Sequence, residues 1–199
     1  MYRARRRLVL GSGSPRRREL LALAGLDFEV HVTDVPEAPL DGEVAVAHAQ
    51  RLARDKARAA SLAYPEAVAI GADTIVVLDH RILGKPRDRA EALAMLVALA
   101  GRRHEVLTGF ALAHAGNVLA SDVVATEVEF RGFGELEARG YVATGESLDK
   151  AGAYGIQGHG AALVRGIRGS YTNVVGLPLV EVLEALLAVD AIAAGEIDA

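Results

Sequence analysis

The sequence predicts an α/β fold, and three observations carry the prediction. A strand-length apolar run, Leu8-Val-Leu10, ends in Gly-Ser-Gly-Ser and gives way at Pro15 to a helical start. Runs of β-forming residues then alternate with segments of helical period along the rest of the chain. Alanine and glycine supply much of the 51% hydrophobic fraction and tryptophan is absent, which favours helices packed closely on a sheet over a core rich in aromatics.

Residues 8–21 organise the rest. Ser14 is placed as an N-cap and Pro15 as the first helical residue. A turn of this kind presents backbone N–H groups and the positive end of a helix dipole at a strand's end. Arg16, Arg17 and Arg18 follow at once, so the place suits an anion, and a phosphate above all. The same segment also reads as a plain cap followed by a solvated first turn, because cationic charge at a helix N-terminus is mildly unfavourable by itself. The helix continues over Glu19–Ala24 and stops at Gly25.

Phe28–Thr33 alternates as a strand, and Asp34-Val-Pro-Glu-Ala-Pro39 follows as a loop that holds Glu37 in restricted backbone. Asp41 is expected to cap a helix running to about Ala63, stopped by Pro65. Along it Ala45, Ala49, Leu52, Lys56, Ala59 and Ala63 recur at steps of three and four, which turns Lys56 inward within a stripe of small residues. Such a lysine either snorkels to solvent along its own stem or reaches an anion in a cleft. Ala67–Leu78 is a run of apolar β-formers interrupted by Gly71-Ala-Asp-Thr74. A carboxylate in a buried strand is costly unless paired or bound to a metal, so Asp73 is the first candidate for chemistry. The alternative is an aspartate that bonds nearby backbone at a strand end. Lys85 lies just beyond, in the rigid turn Gly84-Lys-Pro86.

Asp88 and Glu91 are spaced as a capping box for a helix to Leu99 that Gly101 terminates. Glu105–Ala113 and Val118–Phe130 alternate as antiparallel strands around Gly116-Asn117, and Glu135–Thr144 is a short helix. The glycine-punctuated stretch 149–158 carries Asp149, Lys150, Tyr154 and Gln157. Its backbone can approach a ligand closely, and the Gln157 amide has the donor and acceptor needed to read the edge of a base. Ala161–Ile167 is expected as a strand. Val174–Val189 is expected as the last helix, with Pro178 near its start, before an alanine-rich tail that ends in acidic residues. Residues 1–6 read as a flexible, solvated leader to a single domain spanning 1–199.

The totals exclude several classes. A net charge of −4 argues against a general nucleic-acid binder while leaving room for a local cluster of cations. No cysteine is present, which removes disulfides, thiolate catalysis and cysteine-type zinc sites and fits the cytoplasm. The longest apolar run, Ala92–Ala100, falls far short of the ~20 residues of a membrane span, and no signal-peptide core follows the basic start. The opening turn lacks the third glycine of the dinucleotide fingerprint, and no P-loop, His-Glu-x-x-His or Gly-x-Ser-x-Gly motif occurs.

Five segments together closely resemble the Maf family of nucleoside triphosphate pyrophosphatases. They are Ser-Gly-Ser-Pro-Arg-Arg-Arg-Glu-Leu-Leu at 12–21, Gly-Ala-Asp-Thr at 71–74, Gly-Lys-Pro at 84–86, Asp-Lys-Ala-Gly-Ala-Tyr-Gly-Ile-Gln-Gly at 149–158 and Gly-Ser-Tyr-Thr-Asn-Val-Val-Gly-Leu-Pro-Leu at 169–179. The resemblance implies an α/β fold of the Maf and inosine-triphosphatase type, an elongated mixed sheet joining two lobes with the nucleotide in a central cleft. It implies hydrolysis between the α- and β-phosphates with a divalent cation, Mg²⁺ or Mn²⁺, by a cytoplasmic homodimer with no nucleic-acid or membrane partner. Asp73 resembles the family's proton acceptor, and Arg16, Thr74 and Gln157 its substrate-discriminating positions. Ser14, Arg16, Lys56 and Lys85 fall where phosphates are bound, and Glu37 with Asp73 where the metal is expected. The form of the 149–158 loop resembles the branch acting on dTTP and UTP. The alternatives are a 7-methyl-GTP or non-standard purine pyrophosphatase and a regulatory nucleotide binder in septum formation. Two residues depart from the pattern: Gly11 stands where alanine is usual and Ser147 where proline is frequent.

Overall fold

The structure is a computed structural model and describes residues 1–195; the acidic end expected of the tail lies outside the described residues. The chain divides into two compact units. One comprises Met1–Asp73, Thr108–Val124 and the chain from Gly176 onward, and the other comprises Thr74–Leu107 and Ala125–Val175.

The elements follow in order. Strands β1 (Tyr2–Ala4) and β2 (Leu8–Leu10) precede helix α1 (Pro15–Ala22), the short strand β3 (Glu29–Val30), helix α2 (Ala45–Ala63) and strand β4 (Val68–Leu78). Then come β5 (Arg81–Leu83), α3 (Arg89–Leu99), β6 (Arg103–His114), β7 (Asn117–Phe130) and α4 (Glu135–Ala143). Two 3₁₀ turns, Ala151–Ala153 and Gly158–Leu163, lead to β8 (Val164–Arg168), α5 (Tyr171–Val175), α6 (Leu179–Ala188) and β9 (Ile192–Ala194). The main sheet has the order β3-β2-β4-β6-β7-β8, with β5 paired to β4. It is mixed, as expected: β2 runs parallel to β3 and β4, whereas β4–β5 and β7–β8 are antiparallel.

In the first unit the core is aliphatic, with Leu10, Leu21, Leu52, Ile70 and Leu112 fully buried, and α2 meets the sheet largely through alanine. Ala53 and Ala57 of α2 pack with Ala111 and Ala113 of β6, and Ala60 packs with Val9, Ala67 and Ala69. Two glycines let the helix backbone lie directly on the strands. A Cβ at Gly71 would stand 2.3 Å from the Ala53 carbonyl oxygen, and one at Gly109 equally close to that of Ala49. The second unit departs from the expectation of a core poor in aromatics. Phe130, Tyr141 and Tyr154 join Leu96, Leu99, Val106 and Leu163 in one cluster, each ring covering a large apolar area.

Five local expectations are corrected. The leader expected to be flexible over 1–6 pairs its Tyr2–Ala4 with Ile192–Ala194, anchored by buried Ile192, and Arg5 forms an ion pair with Asp190. The N-cap of α2 is Val44 rather than Asp41, since Gly42 is left-handed (φ 72°) and interrupts any helix begun there. The hairpin turn falls at Ala115-Gly116, both left-handed, one residue earlier than expected, because the paired glycine-type conformations match the strand twist. Residues 158–163 form a 3₁₀ turn instead of the start of a strand, as Gly160 packs where a Cβ would meet the Gly155 carbonyl at 2.0 Å. The last helix is two, α5 and α6, broken at Gly176 (φ 132°) and Pro178. Among the described residues no helix is long and apolar enough to cross a membrane.

Candidate active site

In the first unit, β2 ends in the turn that the sequence singles out. Ser14 caps α1, its hydroxyl accepting from the Arg17 amide at a long 3.5 Å, with Pro15 at the first helical position. Arg17, third in the helix, reaches back as a residue at that position does and donates from Nη1 to Ser12 Oγ at 3.1 Å. Its Nε donates to the Gly176 carbonyl at 2.8 Å, the acceptor exposed by the break between α5 and α6. Burial pulls the Arg17 guanidinium below its ordinary value, while Asp73 and Glu37 oppose the shift. Arg16 and Arg17 are both half-buried and Arg18 is exposed.

Lys56 is the hinge of the charged cluster. The small-residue face of α2 directs it inward, where it is only 7% exposed, against Asp73 on β4 at 8%. Its Nζ donates to Asp73 Oδ1 at 2.7 Å and to Glu37 Oε1, from the proline-bounded loop, at 2.6 Å. This lysine therefore pairs with acids and does not snorkel, and Asp73 is a paired buried carboxylate. The two carboxylates converge on one point. Both present hard oxygens of the kind that Mg²⁺ or Mn²⁺ takes. No group of three or more His, Cys, Asp or Glu side chains suited to a metal occurs among the described residues. The pair therefore fits an ion whose remaining ligands are water and substrate phosphate, and does not make a complete protein cage.

A second charged network, which the sequence reading did not single out, buttresses α2. The Glu43 carboxylate accepts from Arg51 Nε at 2.7 Å and from the Leu40 amide at 3.1 Å, and lies 2.9 Å from His48 Nδ1. The bond from Arg51 chiefly holds this carboxyl well below the usual carboxylate range. A capping-box reading could have found it, since Glu43 closes the turn before the helix as Asp41 was expected to.

The remaining expected site residues belong to the second unit. Thr74 follows Asp73 on β4 and so faces the opposite side of the strand, half-buried. Lys85 is exposed in its turn. Gln157 is exposed too, and its side chain makes no cap bond to the 3₁₀ turn that it precedes. The backbone links the last two regions: the Gly152 amide donates to the Gly84 carbonyl at 3.1 Å. Around Gln157 the loop is tied at both ends. Lys150 Nζ donates to the Glu146 carbonyl at 2.6 Å, and Glu146 Oε1 lies 2.7 Å from His159 Nδ1. The structure thus gathers Glu37, Lys56 and Asp73 into contact, places Ser14 and Arg16 on the adjoining turn and helix start, and carries Lys85 and Gln157 on loops joined by a hydrogen bond.

The fold is similar to that of solved Ham1 proteins. The Ham1 protein of Staphylococcus aureus superposes with a TM-score of 0.51 at 15% identity, covering 92% of this chain and 99% of that one. That of Coxiella burnetii gives 0.50 at 20% identity over 93% and 99%. Residues 7–189 match the family model described as Maf-like protein, and the chain belongs to that family. The chain is 51% identical over 188 residues to the dTTP/UTP pyrophosphatase of Desulfotalea psychrophila (strain LSv54 / DSM 12343), covering 94% of this chain and 96% of that protein. It is 55% identical over 180 residues to that of Yersinia pestis bv. Antiqua (strain Antiqua), over 90% and 91%. The family and fold expected from the five motifs are both borne out.

Proposed function

We propose that this protein hydrolyses dTTP and UTP between the α- and β-phosphates, releasing nucleoside monophosphate and pyrophosphate. The observation that carries the reading is the buried Lys56 ammonium held between Asp73 and Glu37 at hydrogen-bond distance. Relatives about half identical over most of the chain, named dTTP/UTP pyrophosphatases, support the choice of substrate.

Water attacks the α-phosphorus, a new P–O bond forms, and the bond to the bridging oxygen breaks with pyrophosphate leaving. Asp73 takes the water's proton; its carboxylate is oriented for this by Lys56, which limits the rotamers open to it. Lys56, Ser14, Arg16 and Lys85 bind phosphate oxygens, and Lys56 exchanges a carboxylate partner for phosphate as substrate arrives. Glu37 and Asp73 are the residues that would hold a divalent cation. Such an ion, when bound, neutralises charge on the triphosphate and polarises the centre under attack. Arg16, Thr74 and Gln157 select the nucleotide. Uracil and thymine share an O4 acceptor and an N3–H donor, a pair that one glutamine amide satisfies together. The same reading makes the enzyme a cytoplasmic homodimer, without nucleic-acid or membrane partners.

The test is pyrophosphate release from dTTP, UTP, CTP, GTP, ITP and 7-methyl-GTP with Mg²⁺ or Mn²⁺, beside Asp73→Ala. Release concentrated on dTTP and UTP, and reduced about 10³-fold or more in the variant, is the expected result. Release from purines alone, or an unimpaired variant, overturns the assignment.

A further inference from the structure

His104, on β6, is 3% exposed and fills its place in the second unit at a cost. Its Nδ1 is buried without a hydrogen-bond partner, a loss that an apolar side chain of similar size would avoid. Its rings are well packed: the imidazole meets Phe130 and Tyr154 edge-on at 4.9 and 5.4 Å, and Phe130 meets Tyr154 at 4.6 Å. Packing alone does not need an imidazole. What the imidazole adds is one bond, from Nε2 to the Tyr154 hydroxyl at 2.8 Å.

Tyr154 stands three residues before Gln157, and the backbone just before it is left-handed at two successive residues, the second at a steric cost. Gly152 is left-handed at φ 67°, and Ala153, fully buried, is left-handed at φ 61° despite its Cβ. Such a pair persists only where neighbours fix it. The Gly152 amide is bonded to Gly84, the Gly155 amide donates to the Tyr141 hydroxyl at 3.1 Å, and the Tyr154 side chain is bonded to His104. Gln157 itself is exposed without a cap bond, so the point from which its side chain reaches out is set by the backbone that these anchors define. We propose that His104 is a positioning residue for nucleotide selection, acting through its bond to Tyr154 to fix the loop that presents Gln157.

This inference rests on the reading of Gln157 as the base-selecting residue, and its test separates the two. His104→Leu and Tyr154→Phe each remove the bond and keep the packing; His104→Gln keeps an amide that can donate or accept near the Nε2 position. Two quantities are measured: kcat and KM for UTP and CTP, and hydrogen exchange of the Gly155 amide in the protein without nucleotide. The expected result is a KM for UTP raised about tenfold with kcat within about twofold, and UTP preference over CTP narrowed about tenfold. Gly155 exchange should be faster, His104→Gln partly restored, and the double variant His104→Leu/Tyr154→Phe no worse than either single one. Variants that fold with unchanged KM, unchanged preference and unchanged exchange would show that His104 only fills space. If the unaltered protein hydrolyses none of the triphosphates, the functional reading and the selective role fall together. That outcome differs from failure of the positioning role alone, in which the unaltered protein is active and selective and so are the variants.

Discussion

The two units are built on opposite principles. In the first, small residues bring the α2 backbone against β4 and β6, and the polar groups are charged: Lys56 is bonded to Asp73 and Glu37, and Arg17 to Ser12 and Gly176. In the second, rings fill the core and its polar tips are neutral, with His104 bonded to Tyr154 and Tyr141 receiving the Gly155 amide. Burial pulls the His104 pKa down to about 4 and pushes that of Tyr141 up to about 12. On the proposed reading, the difference suits each unit to a different part of a nucleotide. A triphosphate demands fixed charge, which must be paired while the site is empty. A base edge demands uncharged donors and acceptors held at a set angle, which a rigid aromatic bed supplies.

The contrast can be broken most severely at a glycine. Gly71→Ala puts a Cβ 2.3 Å from the Ala53 oxygen and 2.4 Å from the Ala57 nitrogen, so α2 must leave the sheet. Loss of about 4 kcal/mol or more, read as failure to give folded protein or as a large drop in urea midpoint, is the expected outcome. A mild effect would show that the close approach of α2 does not hold the first unit together.

Lys56→Met comes next. It strands Asp73, whose side chain is 12% exposed, beside Glu37 with no shared cation. Stability should fall by about 3 kcal/mol, in step with lost activity, and Lys56→Met/Asp73→Asn should recover part of the stability and none of the rate. Equal melting of the single and double variants would separate the ion pair from the packing.

The neutral bed sharpens the comparison through pH. Unfolded His104 takes a proton as pH falls through about 6.5, whereas the folded imidazole resists until about 4. Its contribution is therefore complete above pH 6.5 and is lost progressively down to pH 4, an expected decline of about 3 kcal/mol. In His104→Leu that part of the decline should vanish, as urea titrations between pH 7 and 4 would measure.

The smallest effects lie in the second unit's looser places. Gly140, inside α4 with nothing within 4 Å of a Cβ, should accept alanine with a gain of about 0.5–1 kcal/mol. The Ser147 hydroxyl is buried without a partner where the family often has proline, so Ser147→Ala should raise the melting temperature slightly. Destabilisation by either change would mean that this unit tolerates substitution as poorly as the alanine-packed one.

By itself the sequence determined the alternation of strands and helices, the Ser14-Pro15 start of α1, the Asp88 cap of α3 and the inward face carrying Lys56. These depend on period, backbone restriction and local capping, all of which act over a few neighbouring residues. The inward lysine and the carboxylate in a strand were each anomalous enough to mark the site before any partner was known. Tertiary structure alone decided that the two anomalies are one pair, that Arg17 turns back to Ser12, and that α5 and α6 part at Gly176 to give Arg17 its acceptor. It also decided that His104, an ordinary histidine in an alternating strand, lies under Tyr154, fifty residues away. Pairing across such separations depends on which faces the sheet brings together, and no short stretch of chain holds that information.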